Sequence, residues 1–237
     1  MTDDIQARVA KLDWSRMAAE LDARGTTTTG ALLSPDECDA LVKDYDTASL
    51  FRSHVIMARH GYGQGEYKYF AYALPDLVAG LRKAVYAHLA PVANRWAMAL
   101  KQDAAYPDAH GAFLARCHEA GQTRPTPLLL RYREGDYNCL HQDLYGDLSF
   151  PLQAAFLLSR PGTDFEGGEF VVTEQRPRMQ SRAEVISLAQ GEAVIFAVNH
   201  RPVQGTRGVY RTAMRHGVSR LRAGHRHTLG IILHDAR

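Results

Sequence analysis

The sequence predicts an α+β protein in which a mainly helical first half supports a jelly roll. Apolar residues recur at helical spacing in the first half, whereas short strand-like runs separated by glycines follow from Pro125. Of the 237 residues, 46% are hydrophobic and 23% are charged. This composition is typical of globular proteins and excludes a disordered, collagen-like or coiled-coil chain. We expect one compact domain, with residues 1–124 as a helical support region that carries a strand pair and residues 125–237 as the jelly-roll core.

The first two helices are predicted from apolar spacing and from signals at their ends. Apolar residues at intervals of three and four indicate a helix over residues 4–24, which Gly25 ends. Ser34 can cap a second helix because its side chain accepts a hydrogen bond from the first turn, where Pro35 is also favoured. We expect this helix to continue to about Asp46.

Two further helices and a strand pair complete the predicted support region. Pro75 begins a long helix with an apolar face that runs to about Leu100, and Pro91 inside it predicts a break or a kink. A shorter helix is expected over residues 108–120. The strand-like segments of this half are His54–Arg59 and Glu66–Tyr72, joined by a glycine-rich loop.

The second half alternates short strands with glycine turns. Strands are predicted near residues 127–133, 138–144, 153–159, 168–173, 183–188, 192–198, 212–218 and 226–233. Glycines lie between most of these runs and give the backbone the freedom that tight turns need. Eight short strands at such intervals are typical of a jelly roll or a related double-sheet barrel.

The charge is nearly balanced overall but uneven along the chain. The formal net charge is +2, yet no acidic residue occurs between Glu192 and Asp235. A long basic stretch without counter-charge attracts an anionic partner such as nucleic acid. The arginines of this stretch are Arg201, Arg207, Arg211, Arg215, Arg220, Arg222 and Arg226.

Cysteine usage and apolar runs indicate the compartment. Three cysteines without a CxxC motif form neither a disulfide framework nor a thiolate zinc site. The apolar runs fall far short of the roughly 20 residues that a membrane span needs. The first residues are polar and acidic, unlike a signal peptide. We therefore expect a soluble, reduced, cytoplasmic protein without a membrane partner.

His141 and Asp143 form a His-x-Asp pair within a predicted strand. Residues i and i+2 of a strand point to the same face, so an imidazole and a carboxylate would project together between the sheets. Two imidazoles and one carboxylate make the facial triad that binds non-haem Fe(II) and leaves coordination positions open. The pair alone is weak evidence, because His and Asp are common enough to produce this spacing by chance.

The residues around this pair resemble the AlkB-type branch of the Fe(II)/2-oxoglutarate dioxygenases. Arg131–Asp143 contains Arg-Tyr, Gly and Leu-His-Gln-Asp elements at the spacing of that branch. His216–Gly224 is similar to its His-Gly-Ile and Leu-Lys-Ala-Gly stretch, and Arg226–Leu233 resembles its last strand. The whole chain also looks like a prokaryotic family of 2-oxoglutarate/iron oxygenases that is described as acting on damaged nucleic acid.

The resemblance implies a double-stranded β-helix (jelly-roll) enzyme that uses Fe(II), 2-oxoglutarate and O₂. It implies that the metal ligands are His141, Asp143 and His216. It also implies that Arg226 pairs with the far carboxylate of 2-oxoglutarate, since a guanidinium binds a carboxylate through two parallel hydrogen bonds. Tyr132 is expected to hydrogen-bond the same cosubstrate.

One position departs from the resembled branch. That branch carries a second arginine six residues after the first, near the C1 carboxylate of 2-oxoglutarate, whereas this chain has Ile232 there. Either Arg211 or Arg215 replaces it, or iron alone holds the C1 carboxylate. A further element, Glu166–Phe170, resembles a Gly-Gly-Glu turn of prolyl-hydroxylase-type members, and the resemblance as a whole covers about residues 125–233.

The predicted reaction is the oxidative demethylation of alkylated nucleic acid, with single-stranded or damaged DNA or RNA as the partner. The alternative is hydroxylation of a protein side chain, an amino acid or a small metabolite. A third interpretation is a non-catalytic jelly-roll sensor that binds a metal or an organic acid. The segment Tyr67–Phe70 mixes aromatic and basic side chains, which suits either base stacking or a half-buried strand.

Overall fold

Five α-helices lie in the first half of the chain in the computed structural model, which describes residues 5–206 and 208–237. They are α1 (Ile5–Ala10), α2 (Trp14–Arg24), α3 (Pro35–Asp44), α4 (Asp76–Ala99) and α5 (His110–Glu119). Two 3₁₀ helices occupy Ala48–Leu50 and Met57–His60. None of the described helices is both long and apolar enough to cross a membrane.

The segment that we predicted as one helix over residues 4–24 forms two helices in its described part, so its continuity was predicted wrongly. Asp13 caps α2, because its side chain accepts a hydrogen bond of 2.9 Å from the backbone N–H of Arg16. A residue in this capping conformation interrupts the preceding helix. Gly25 ends α2 as predicted, in the left-handed conformation that glycine adopts without strain.

The helix starts near Ser34 and Pro75 are confirmed. The side chain of Ser34 accepts from the backbone of Glu37, whose carboxylate accepts from the backbone of Ser34 in return, which is a capping box. The long helix α4 passes through Pro91 without ending, so the predicted break is absent. Its buried face packs against α1, α5 and the sheet, and this packing holds the helix together.

Fourteen strands lie in the described residues, ten of them in the second half. They are β1 (Thr26–Ala31), β2 (Phe51–Ile56), β3 (Gly63–Gln64), β4 (Glu66–Phe70), β5 (Leu128–Arg133), β6 (Tyr137–His141), β7 (Leu152–Leu157), β8 (Phe165–Gly167), β9 (Phe170–Gln175), β10 (Arg182–Ile186), β11 (Glu192–Ala197), β12 (His200–Gly205), β13 (Gly208–Val218) and β14 (Leu221–Ile231).

The strands form two antiparallel sheets, which confirms the predicted α+β jelly roll. The major sheet has the order β1-β11-β7-β14-β5-β4-β2, with β8 paired to β14. The minor sheet has the order β10-β9-β13-β6-β3, with β12 paired to β13. Buried side chains such as Phe156 and Phe196 of the major sheet and Phe170 and Met214 of the minor sheet share one core. The first half of the chain contributes β1, β2 and β4 to the major sheet.

Two strands escaped prediction for different reasons. β1 is a threonine-rich segment, and we expected no strand there although β-branched residues favour extended structure. β12 contains Pro202, which argues against a central strand. The strand forms despite this proline because β12 pairs with β13 alone. It therefore lies at the edge of the sheet, where a missing backbone N–H is tolerated.

Other strands differ from prediction in their bounds. β14 begins at Leu221 rather than near residue 226, and β6 ends at His141 rather than near residue 144. The strand predicted over His54–Arg59 is shifted toward the N-terminus and becomes β2, because residues from Met57 onward form a 3₁₀ helix that turns the chain.

Candidate functional site

The minor sheet brings the three predicted metal ligands together. His141 at the end of β6 is the direct register partner of His216 in β13. The Nε2 atom of His141 lies 3.3 Å from Oδ1 of Asp143, and Nε2 of His216 lies 3.3 Å from Oδ2 of the same carboxylate. One ligand atom from each residue lies within 4.8 Å of the other two.

Asp143 reaches this position in a different way from the one predicted. Because β6 ends at His141, strand alternation does not aim the carboxylate, and the irregular segment after the strand does so instead. Two side chains fix the carboxylate there. The hydroxyl of Tyr145 donates to Oδ1 at 2.7 Å, and Nε2 of Gln153 in β7 donates to Oδ2 at 2.7 Å.

These two positioning side chains were missed by sequence reasoning. Gln153 is remote in sequence, and only the pairing of β7 with β14 and β11 brings it beneath the carboxylate. Its single signal was a polar residue at the start of an otherwise apolar predicted strand. Tyr145 lies two residues after Asp143, in a segment without periodic pattern, and carried no such signal.

The hydrogen bonds of His141 fix its tautomer. Its Nδ1 lies 2.8 Å from the carbonyl oxygen of Cys139, which can only accept, so Nδ1 carries a proton and, in the neutral ring, Nε2 keeps its lone pair. Burial opposes a charge on His141, but the hydrogen bond to Asp143, the attraction to its charge and backbone hydrogen bonds together outweigh burial and raise the pKa of His141 above its usual value. Burial lowers the pKa of His216. Despite burial, hydrogen bonds from both imidazoles hold the pKa of Asp143 well below its ordinary range.

The donor set fits Fe(II). Two imidazole nitrogens and one carboxylate oxygen lie close together, and all three residues line one cavity, so further ligands of the metal can reach them, as a facial triad requires. Gln153 and Tyr145 orient the carboxylate and the Cys139 carbonyl orients His141, which is the support that metal ligands usually have. Within residues 5–206 and 208–237, no other His, Cys, Asp or Glu cluster of this kind occurs.

Arg226 and Tyr132 lie together at another part of the same cavity. They are direct register partners on β14 and β5, and both are buried. Nη1 of Arg226 donates to the hydroxyl of Thr228 at 2.7 Å, but its Nε and the hydroxyl of Tyr132 make no hydrogen bond of ordinary geometry. Burial lowers the pKa of Arg226 and raises the pKa of Tyr132. A buried cation without a carboxylate partner fits an anionic ligand.

A cavity of about 480 Å³ connects the triad with Arg226 and Tyr132. Phe170 and Phe196 flank the ring of His216, with ring centroids at 5.9 and 4.5 Å. The cavity wall is thus aromatic beside His216 and has its polar groups at a few defined places, which is typical of a small-molecule site.

Neither of the two arginines considered for the C1 carboxylate enters the cavity. Arg211 and Arg215 are exposed on β13, and strand alternation puts them on the face opposite to His216. Ile232 is buried beside Tyr69 and Leu128. Arg226 is the single Arg or Lys among the described residues that line the cavity.

The segment Tyr67–Phe70 lies in β4 and behaves as a half-buried strand. Tyr69 and Phe70 are buried, and Nζ of Lys68 donates to the carbonyl oxygen of Tyr45 at 2.8 Å. Tyr67 lines the cavity. The Gly-Gly-Glu turn lies behind Arg226, where a Cβ on Gly168 would come 2.2 Å from Leu221 and 3.0 Å from Cδ of Arg226. Glycine is favoured there by its φ of 62° and by this close approach.

Comparison with protein families gives a match over most of the chain. Residues 65–236 match the model of a family named Oxygenase-NA, described as an oxygenase that catalyses oxidative methylation of damaged DNA. An uncharacterized protein of Mycobacterium tuberculosis (strain H37Rv) is 47% identical over 167 residues, which span 70% of this chain and 72% of that protein. The same identity and coverage hold for an uncharacterized protein of the strain CDC 1551.

Solved structures share the fold at low sequence identity. A prolyl-4-hydroxylase of Pseudomonas putida is 16% identical with a TM-score of 0.55, and the match covers 94% of this chain and 99% of that one. An oxidoreductase of the 2OG-Fe(II) oxygenase family from Burkholderia pseudomallei is 16% identical with a TM-score of 0.56, and the match covers 95% and 94%. A prolyl hydroxylase of Trichoplax adhaerens, in complex with a hypoxia inducible factor peptide, is 12% identical with a TM-score of 0.54, over 98% and 92%.

Proposed function

The chain belongs to the Oxygenase-NA family and is a 2-oxoglutarate- and Fe(II)-dependent dioxygenase, and on this premise we propose that it demethylates alkylated nucleic acid. The observation that carries the proposal is one cavity with a His-Asp-His triad and an unpaired buried arginine. Such a cavity suits a metal and a dicarboxylate cosubstrate together.

In this proposal His141, Asp143 and His216 are the iron ligands. When bound, Fe(II) supplies the redox chemistry that couples the oxidative decarboxylation of 2-oxoglutarate to oxidation of a substrate C–H bond by O₂. Tyr145 and Gln153 keep the carboxylate of Asp143 in place by their hydrogen bonds. The aromatic rings beside His216 keep bulk water away from the ligands.

Arg226 and Tyr132 bind the far carboxylate of 2-oxoglutarate in this proposal. The guanidinium donates to both oxygens of a carboxylate, and the hydroxyl of Tyr132 adds a third hydrogen bond. Since Arg211 and Arg215 lie outside the cavity, the C1 carboxylate is left to the iron and to neutral donors.

The proposed substrate is an N-methyl group on a nucleobase. Hydroxylation of the methyl carbon consumes O₂ and 2-oxoglutarate, and it yields CO₂, succinate and an N-hydroxymethyl base. That hemiaminal then releases formaldehyde and restores the unmodified base. The base has to leave the stacked duplex to reach the cavity, so an unpaired base is favoured.

The test is a coupled product assay with the full-length protein, Fe(II), O₂ and 2-oxoglutarate. Succinate and formaldehyde are measured with a single strand that carries 1-methyladenine and with the unmethylated strand. We expect both products to rise together only with the methylated strand. Succinate formation that ignores both strands, without formaldehyde, would contradict the proposal while leaving the oxygenase in place.

A hydroxylase of a protein side chain or small molecule is the second candidate. Two of the structurally similar proteins are prolyl hydroxylases, and the Gly-Gly-Glu turn resembles that group. Identities of 16% and 12% indicate a shared fold rather than a shared substrate. Succinate that rises with a proline-containing peptide and not with methylated DNA would favour this candidate.

A further inference from the structure

Exposed apolar side chains gather around the entrance of the cavity. Tyr62, Leu140 and Leu144 line the cavity, yet they are 50%, 47% and 49% exposed. Large apolar side chains at the mouth of a binding cavity indicate a surface that a ligand covers. We call these three residues the rim. They come from two segments, the loop between β2 and β4 and the end of β6 with the residues after it.

Tyr62 is held rigidly although its side chain is exposed. Its backbone N–H donates to the carbonyl oxygen of Met57 at 3.2 Å, and its own carbonyl oxygen accepts from the N–H of Cys139 at 2.9 Å. Gly63 next to it pairs with Asn138, so closely that a Cβ on Gly63 would come 2.4 Å from the carbonyl oxygen of Tyr137. A ring on such a backbone loses little conformational entropy when a ligand stacks on it.

The ring of His60 lies against the ring of Tyr62. Their centroids are 5.3 Å apart and their planes differ by 22°, so the two rings form a stack at the cavity entrance. The surrounding sequence carries no negative charge, since no acidic residue occurs between Asp46 and Glu66, and Arg59 there is exposed. Stacked aromatic rings with an exposed arginine next to them in the chain can accommodate an unpaired base together with its phosphate.

We propose that Tyr62, backed by His60, is the stacking platform for an unpaired nucleobase of the substrate strand, and that Arg59 contacts the adjoining phosphate. This inference rests on the proposed function, and it assigns the recognition of single-stranded nucleic acid to the 57–65 loop. Leu140 and Leu144 cover the remaining apolar surface of the base at the rim.

Direct binding tests the platform apart from turnover. The probe is a fluorescein-labelled single strand that carries one 1-methyladenine, and its affinity is measured by anisotropy with full-length protein loaded with Mn(II) in place of Fe(II). Tyr62→Ala is expected to weaken binding about tenfold or more, because base–aromatic stacking is lost, whereas Tyr62→Phe keeps the affinity. A strand built of abasic units is the matched control, and on it Tyr62→Ala and the wild type should bind equally.

Salt dependence separates the role of Arg59 from that of Tyr62. Arg59→Gln is expected to reduce the slope of log affinity against log salt by about one, and Tyr62→Ala is expected to leave the slope unchanged. Equal binding by Tyr62→Ala and wild type to the methylated strand overturns the platform, as does an equal loss on the abasic strand. If the wild type demethylates the strand in either case, the proposed function stands without the platform. Absence of both binding and formaldehyde release in the wild type overturns both.

Discussion

Two buried arginines occupy opposite situations in this molecule. Arg82 in α4 is fully paired, since its guanidinium donates to Oδ1 of Asp235 at 2.7 Å and to the backbone carbonyls of Ile232 and His234. Arg226 is equally buried but donates only to a threonine hydroxyl and keeps an unpartnered Nε. A buried charge that is fully paired within the protein supports the fold, whereas a buried charge without such partners can bind a ligand.

The largest effect is expected at the triad. His141→Ala or Asp143→Ala should reduce succinate formation to background, because each removes a proposed iron ligand. The fold should persist, since the core between the sheets is apolar. Succinate release is the measurement, metal content gives a second readout, and His225→Ala, an exposed histidine, is the matched control. Wild-type turnover in either variant would refute the assignment of the ligands.

The paired arginine is expected to matter for stability. Arg82→Gln removes the positive charge that pairs with the buried carboxylate of Asp235. This loss should lower the free energy of unfolding by about 3–5 kcal/mol. Denaturant unfolding measures this loss. The concentration of 2-oxoglutarate that gives half-maximal rate should stay the same at a temperature where the variant is folded. A changed requirement for 2-oxoglutarate would mean that the two regions are not independent.

Substitution of the unpaired Arg226 is expected to affect the 2-oxoglutarate requirement rather than the stability. Arg226→Gln should raise the required concentration of 2-oxoglutarate roughly thirty- to a hundredfold, since the charged hydrogen bond that we propose to the cosubstrate is lost. Its unfolding free energy should not fall as that of Arg82→Gln does, because no buried carboxylate loses its partner. A loss of stability comparable with the Arg82 variant would break the comparison.

The paired region should also be acid-sensitive. His110, next to Arg82 and Tyr86, donates from its ring to the carbonyl oxygen of Leu233 at 2.9 Å, and burial lowers its pKa to about 4. Below the unfolded pKa of about 6.5 the unfolded chain binds a proton that the folded chain does not, so stability falls as the pH drops from 6.5 to 4. Between pH 7 and pH 5 this histidine should account for about 2 kcal/mol. His110→Gln should show a correspondingly smaller pH dependence of unfolding, and an identical dependence would contradict this.

Sequence patterns predicted the fold better than they predicted the inner surface of the site. The alternation of apolar and polar residues that predicts a strand is a local pattern. The strands of the two sheets and the two faces of β13 could therefore be predicted from it. The proposed ligands His141 and His216 were identified from short motifs, and pairing of β6 with β13 makes them neighbours. The alternation argument for Asp143 failed, because the strand ends before it.

What escaped prediction depends on tertiary contacts. Gln153 reaches Asp143 only because β7 lies under the carboxylate, and nothing in its own sequence neighbourhood indicates that contact. The difference between Arg82 and Arg226 is likewise invisible in sequence, since it lies in whether a carboxylate from a distant segment meets the guanidinium. Burial of charge is decided by the packed fold rather than by local pattern.

The smallest effect is expected for an arginine that is neither paired nor buried. Arg215 is adjacent to His216 in sequence, but neighbouring residues of a strand point to opposite faces, and its side chain is exposed. Arg215→Gln should therefore leave the 2-oxoglutarate requirement unchanged and shift the unfolding free energy by no more than about 0.5 kcal/mol. Kinetics at varied 2-oxoglutarate and denaturant unfolding measure both. A raised 2-oxoglutarate requirement would mean that Arg215 holds the C1 carboxylate after all. Its side chain would then have to reach the cavity from the opposite face of β13.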